Sequence, residues 1–120
     1  MAIAIMDSQL TIIQPSGHIN ASNATEFQSQ LTTAVASQKH SVLVDMHRVE
    51  SLDSAGLMAL VSALSLAQNL KRRFSLCCLA PSIGIIFELT QLDGAFEIYE
   101  SREAFVAMLT RSENDRKLIA

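Results

Sequence analysis

Val42-Leu43-Val44-Asp45 is an apolar run closed by an acid, and beyond it Leu57, Leu60, Val61 and Leu64 recur at helical spacing. The run reads as a buried strand and the recurring leucines and valine as the inner stripe of a helix, with a short polar turn between them. A buried strand that passes directly into an apolar-striped helix needs a sheet on one side and a helical layer on the other, so the fold is constrained to layered α/β. Composition agrees. Of 120 residues 49% are hydrophobic and only 18% charged, which calls for elements buried on more than one side. That length suits one domain.

Along the rest of the chain, Met1 to Met6 and Gln9 to Gln14 read as two strands joined by Asp7-Ser8, and Pro15-Ser16-Gly17 marks a turn or kink after the second. Asn23-Ala24-Thr25-Glu26 has the form of a capping box, and Phe27, Leu31, Ala34 and Val35 make one stripe, so a helix is predicted to about Gln38. Ser41 to Met46 is the third strand, and Met46 to Leu52 a polar turn. A helix then runs from Ser54 to about Leu70, followed by a strand from Phe74 to Leu79. Pro81-Ser82 opens a short helix with Ile83, Ile86 and Phe87 inward, and Asp93-Gly94 breaks the chain. Phe96 to Tyr99 is a last strand, and Ser101 starts a helix carrying Ala104, Phe105, Met108 and Leu109 inward. Residues 111–120 form a charged tail expected to fray. The order ββαβαβαβα predicts one α/β domain over residues 1–110, with a mainly parallel sheet, an antiparallel strand pair at its start and about four helices.

The net charge of -3 offers no broad attraction to nucleic acid, and Lys71-Arg72-Arg73 reads as the cationic end of the preceding helix. Leu57 to Ala67, the longest apolar stretch, is interrupted by Ser62 and Ser65 and falls short of a bilayer span. Met1 to Met6 lacks a basic flank and a long apolar core, so it reads as a strand rather than a signal peptide and a cytoplasmic location is expected. Cys77 and Cys78 are neighbours in a strand, where successive side chains face opposite ways, and read as two free thiols. No further ligand at metal-binding spacing accompanies them, so no metal or cofactor is expected.

Ser54 is the first functional candidate. At a helix start either Ser54 or Asp53 can serve as the cap, and a negative charge acquired by Ser54 would face unpaired backbone N–H groups at the positive end of the helix dipole. In sheets of this kind sites gather at the carboxyl ends of strands, where Gly17-His18-Ile19-Asn20 and Asp53-Ser54 both fall, so the two loops are expected to be neighbours. Asp45, at a strand end, stands where a phosphoacceptor aspartate could sit, but Gln14-Pro15-Ser16 occupies the place where a magnesium-holding acidic pair would be needed; Asp45 is read as structural. A hydrolase with Ser54 as nucleophile and His18, His40 or His47 as base lacks its glycine elbow, because Leu52 stands two residues before the serine. No glycine-rich phosphate loop is present.

The element order, the Gly17-His18-Ile19-Asn20 turn, the stretch from Val42-Leu43-Val44-Asp45 to Val49, and Leu52-Asp53-Ser54-Ala55-Gly56-Leu57 together resemble the STAS domain, the fold of bacterial anti-sigma factor antagonists. Ala80-Pro81-Ser82 to Leu89-Thr90-Gln91-Leu92 and Phe96-Glu97-Ile98-Tyr99 resemble its second half, so the likeness spans about Ile5 to Leu109. The resemblance implies a regulator without enzymatic activity that works by partner switching. The unmodified form would bind an anti-sigma factor that is also a serine kinase, freeing a sigma factor. Phosphorylation of the serine matching Ser54 would break that complex, and a metal-dependent serine phosphatase would restore it. Gly17, His18 and Asn20 match the turn that helps form the partner surface, with Asn20 where the family often has Asp. Ala55 replaces a frequent second serine, leaving Ser54 as the hydroxyl of the core motif, and His47 stands where a small polar residue is common. Asp53 is placed to orient that hydroxyl or steer the kinase's metal. Met58, one turn beyond Ser54, is expected to offer the partner an adaptable apolar contact. The alternative is a stand-alone STAS scaffold or nucleotide-sensing module outside sigma-factor control.

Overall fold

The computed structural model describes the backbone of residues 2–6, 10–37 and 41–119, and the side chains of residues 10–37 and 41–111. Its strands are β1 (Ala2–Met6), β2 (Leu10–Ile19), β3 (Ser41–Asp45), β4 (Arg48–Leu52), β5 (Arg73–Cys77) and β6 (Glu97–Tyr99). Its helices are α1 (Ala24–Ala36), α2 (Ser54–Asn69), α3 (Pro81–Leu89) and α4 (Arg102–Ile119), with a single 3-10 turn at Leu92–Gly94. The sheet order is β1-β2-β3-β5-β6, with β4 paired to β2, and only the β1–β2 pair is antiparallel. The predicted α/β plan is therefore present, with one strand more than the sequence pattern suggested. The connection expected at Asp7-Ser8, and His40, lie outside the described residues, and α1 ends at Ala36, with Ser37 already extended, two residues short of the expected Gln38.

The added strand, β4, occupies what was read as a polar turn. Only Val49 and Leu52 of its residues are buried, so no apolar run or strict alternation marks it. Its partner is the second half of β2. Leu10 to Ile13 pair with β3, and Ser16 to Ile19 pair with β4. Pro15 therefore does not end the strand as expected: it sits between the two ladders, where its missing N–H forfeits no bond to β3 or β4. Gly17 is likewise inside β2, at a φ of +78° beside a register shift, and glycine takes that left-handed backbone without a Cβ clash.

The helices divide between the faces of the sheet. On one face α1, α2 and α3 bring Phe27, Leu31, Leu60, Ala63, Ile83 and Phe87 against Ile13, Val42, Val44, Phe74 and Leu76. On the other, α4 contributes Phe105 to a smaller cluster with Leu10, Ile12, Leu43 and Cys77. Ala104, expected inward, is exposed; Met108 and Leu109 are half-buried, and the helix extends through the charged tail to Ile119.

Two end signals also differ from expectation. Asn23 precedes α1 but makes no side-chain cap, because its amide is drawn back to the loop before it. Lys71-Arg72-Arg73 lies past α2 rather than in its last turn. Lys71 takes a left-handed φ of 57° and the Arg72 N–H returns to Ala67 O at 2.8 Å, a Schellman ending. The Arg72 guanidinium donates instead to Val35 O near the end of α1, at 3.0 Å.

Candidate functional site

The site grows from the close approach of α2 to the ends of β2 and β4. A Cβ on Gly56 would come within 2.7 Å of Leu52 Cδ1, 2.8 Å of Ile19 Cγ2 and 3.2 Å of Ile19 O. Only glycine lets the first turn of α2 lie this low on the two strands. Asp53 then binds the structure together. Its N–H donates to Ile19 O at 3.1 Å, its Oδ1 accepts from Gly56 N at 3.0 Å, and its Oδ2 accepts from Ala21 N at 3.2 Å. Asp53 is thus the N-cap of α2 and the tie between the two loops, which settles the choice left open between it and Ser54.

Ser54 is the first helical residue and is exposed. Among the described residues nothing hydrogen-bonds its hydroxyl, nor the N–H groups of Ser54 and Ala55, which have no intrahelical acceptor at this end of a helix. Met58 stands one turn on, 57% exposed, with Ala55 half-buried between.

The facing loop is locked by its own side chains. Asn20 Oδ1 accepts from Ser22 N at 2.9 Å and from Ser22 Oγ at 2.6 Å, while Asn20 N donates to Asn23 Oδ1 at 3.0 Å. Asn23 Nδ2 donates to His18 O at 2.8 Å. An aspartate at position 20 could accept the same two Ser22 bonds, so asparagine keeps the loop shape and removes a charge. The bulge at Gly17 turns His18 outward, where its Nδ1 shares a 2.6 Å hydrogen bond with Ser51 Oγ and its Nε2 lies 3.6 Å from Glu50 Oε2. The predicted residues on β2, its loop and α2 are thus brought to one exposed edge. The β4 partners Ser51 and Glu50 were missed because β4 itself was missed.

Asp45, read as structural, is buried beneath α4 on the other face. Its Oδ1 accepts from His47 N at 3.0 Å, and its Oδ2 accepts from Arg102 Nη2 at 2.9 Å, Arg102 Nε at 3.0 Å and Gln14 Nε2 at 3.3 Å. Cys77 and Cys78 are free thiols, as expected, but they do not face opposite ways: both sulfurs and the Asp45 carboxylate lie within 4.8 Å of one another. A left-handed φ of 63° at Cys78 breaks the strand alternation on which the expectation rested. Burial pushes both thiols up, Cys77 strongly, with the Asp45 charge adding to it.

An open cleft of about 610 Å³ lies elsewhere, between α3, the 3-10 turn and β6, with Phe87 and Phe96 in its floor and Glu88, Asp93 and Glu100 on its rim. None of the predicted site residues lines it. Among the described residues, no helix is long and apolar enough to cross a membrane.

Comparison with known proteins places this geometry in a family. BtrV of Bordetella bronchiseptica, which carries the name anti-sigma factor antagonist, is 28% identical over 91 residues, covering 76% of this chain and 78% of its own. A Thermotoga maritima protein described as an anti-sigma factor antagonist shares the fold with a TM-score of 0.83 at 20% identity, over 89% of this chain and 92% of that one. The Bacillus cell fate determinant SpoIIAA in its phosphorylated form superposes with a TM-score of 0.70 at 14% identity, over 90% of this chain and 99% of that one. The family model of the STAS domain matches residues 3–105, and the chain belongs to the STAS domain family.

Proposed function

We propose that the chain is a cytoplasmic anti-sigma factor antagonist that switches partners through Ser54. The observation that carries this reading is the division of labour at the start of α2: Asp53 does the capping, which leaves the Ser54 hydroxyl exposed and free of structural duty. A residue that must be modified and restored without unfolding its helix needs that freedom. The likeness to BtrV, and to a SpoIIAA solved in a phosphorylated form, supports the same assignment.

The unmodified chain binds an anti-sigma factor that is also a serine kinase, through Gly17, His18 and Asn20 on one side and Asp53, Ser54, Ala55 and Met58 on the other. Shape and the apolar reach of Met58 hold that complex. Phosphorylation adds a charge of roughly -1.5 to -2 and three strong acceptor oxygens. The free N–H groups of Ser54 and Ala55 and the helix dipole accommodate the group locally. Its charge adds to those of Asp53 and Glu50 at the same edge, so a partner packed there with no cation to spare is expelled. A metal-dependent serine phosphatase reverses the step. Ser54 is a substrate in this scheme, not a nucleophile, and His18 is engaged with Ser51 and Glu50.

Ser54→Ala and Ser54→Asp, used as paired baits in a lysate of the source organism, test this. The alanine form is expected to retain an ATP-binding kinase that the aspartate form releases. Equal retention by both would end the charge-switch mechanism. Loss of any kinase partner together with tight nucleotide binding would favour the nucleotide-sensing module, although the carboxylate-rimmed cleft is a poor home for phosphates.

A further inference from the structure

The ends of β3 and β5 hold a cluster that partner docking leaves unused. Cys77 Sγ, Cys78 Sγ and an Asp45 carboxylate oxygen lie within 4.8 Å of one another, beneath the first turn of α4 and on the opposite face of the sheet from α2. We infer that this cluster is a site for one thiophilic d10 cation, Zn2+ by its donor set, bound by both thiolates and by one oxygen of Asp45.

Three features converge on this assignment. Cys77 ends β5 and Cys78 lies just beyond it, where a left-handed backbone, costly for any residue but glycine, brings the two sulfurs and the Asp45 carboxylate together. Two sulfurs with one carboxylate oxygen is a zinc-like donor set that leaves a fourth, tetrahedral position for water. The surroundings also suit an ion. Asp45 Oδ2 is held by two Arg102 nitrogens and by Gln14, the kind of outer bonding that fixes a ligating carboxylate, while Oδ1 accepts the His47 N–H and keeps a lone pair for an ion. With both thiols deprotonated, Zn2+ and the Arg102 guanidinium balance the two thiolates and the carboxylate. The two thiol protons pass to solvent as the metal–sulfur bonds form.

The test is titration of the reduced full-length chain with Cd2+, whose bonds to thiolates absorb in the ultraviolet, followed by displacement with Zn2+. Saturation at one Cd2+ per chain, with the absorbance lost on adding Zn2+, is the expected result. Cys78→Ser, at a half-buried position, should fold as the parent does by circular dichroism and bind about tenfold or more weakly with a reduced thiolate band. Asp45→Asn should weaken binding while keeping the band. No thiolate band on titration, saturation at one ion per two chains, or parent-like binding by Cys78→Ser would each overturn the site. Any of these leaves partner docking at Ser54 untouched, because the two sites lie on opposite faces.

Discussion

Three helices cover one face of the sheet and a single helix covers the other, and the layers beneath them differ in kind. Under α1, α2 and α3 the contacts are apolar, with Phe87 set edge-on to Phe96 at 5.4 Å between ring centres. Under α4 Phe105 is the one fully buried helix residue among the described side chains, resting on Tyr99 at 5.4 Å, and charge does much of the remaining work. Arg102 holds Asp45, Arg73 Nε lies 3.6 Å from Glu97 Oε1, and Glu97 also accepts from Ser75 and Tyr99. Cys77, Cys78 and Tyr99, whose titration burial shifts upward, all belong to this second layer. Apolar burial is non-directional and unites a layer, whereas a polar layer depends on a few specific partners. The α1–α3 face should therefore set global stability, and the α4 face should open on its own.

The largest effect is expected from Phe87→Ala, which empties a fully buried ring position and should destabilise the whole domain by about 3–5 kcal/mol in denaturant unfolding. Arg102→Ala comes next. It strips the main cation from a carboxylate only 6% exposed, but Arg102 itself is 31% exposed, so a loss of about 3 kcal/mol, the low end for a buried pair, is the upper bound. Its signature is local: amide exchange should accelerate in α4 while α2 stays protected. Equal acceleration in both helices would break the distinction between the faces.

Alkali should probe the same layer without substitution. Burial, then the hydrogen bond and charge of Glu97, push Tyr99 from its ordinary 10.0 up to about 12, and burial raises both thiols above their ordinary 9.0. Groups with raised folded values contribute fully below the unfolded value, and that contribution is lost as pH rises through the folded one. Stability should thus be flat to about pH 8.5 and fall from there upward. Tyr99→Phe combined with Cys78→Ser should make the decline shallower in a series of denaturant midpoints, the remainder belonging to Cys77; an unchanged slope would remove Tyr99 and Cys78 as its cause.

At the other end of the scale, Asp53→Ala removes the α2 cap and should cost about 1 kcal/mol, with the Asn20–Asn23 loop loosened because Ala21 N loses its acceptor. Ser54→Ala should change stability by no more than about 0.5 kcal/mol, since the hydroxyl makes no bond among the described residues. A larger loss at Ser54 than at Asp53 would reverse the assignment of the cap.

Much of this was legible in local sequence. Val42-Leu43-Val44, the α2 stripe, Pro81 at the start of α3 and Ser101 capping Ala104 N at 3.0 Å all follow from short-range periodicity and capping chemistry. So did the convergence of the Gly17–Asn20 segment on Asp53-Ser54, because strand ends in such sheets share one edge. β4 escaped notice because its burial comes from pairing with β2 and not from its own composition.

Alone, the order of residues determined the α/β plan and put Ser54 at a helix start, since propensity, period and turn chemistry act over a few neighbouring residues. Tertiary structure decided what each of those residues became. Asp53 rather than Ser54 is the cap because folding brings Ala21 N to its second oxygen, and Asp45 is an anchor because Arg102, 57 residues away, reaches it. Cys77, Cys78 and Asp45 meet only because one left-handed residue follows β5 where β3 lies beside it. Contacts between distant segments depend on backbone geometry that no local pattern encodes.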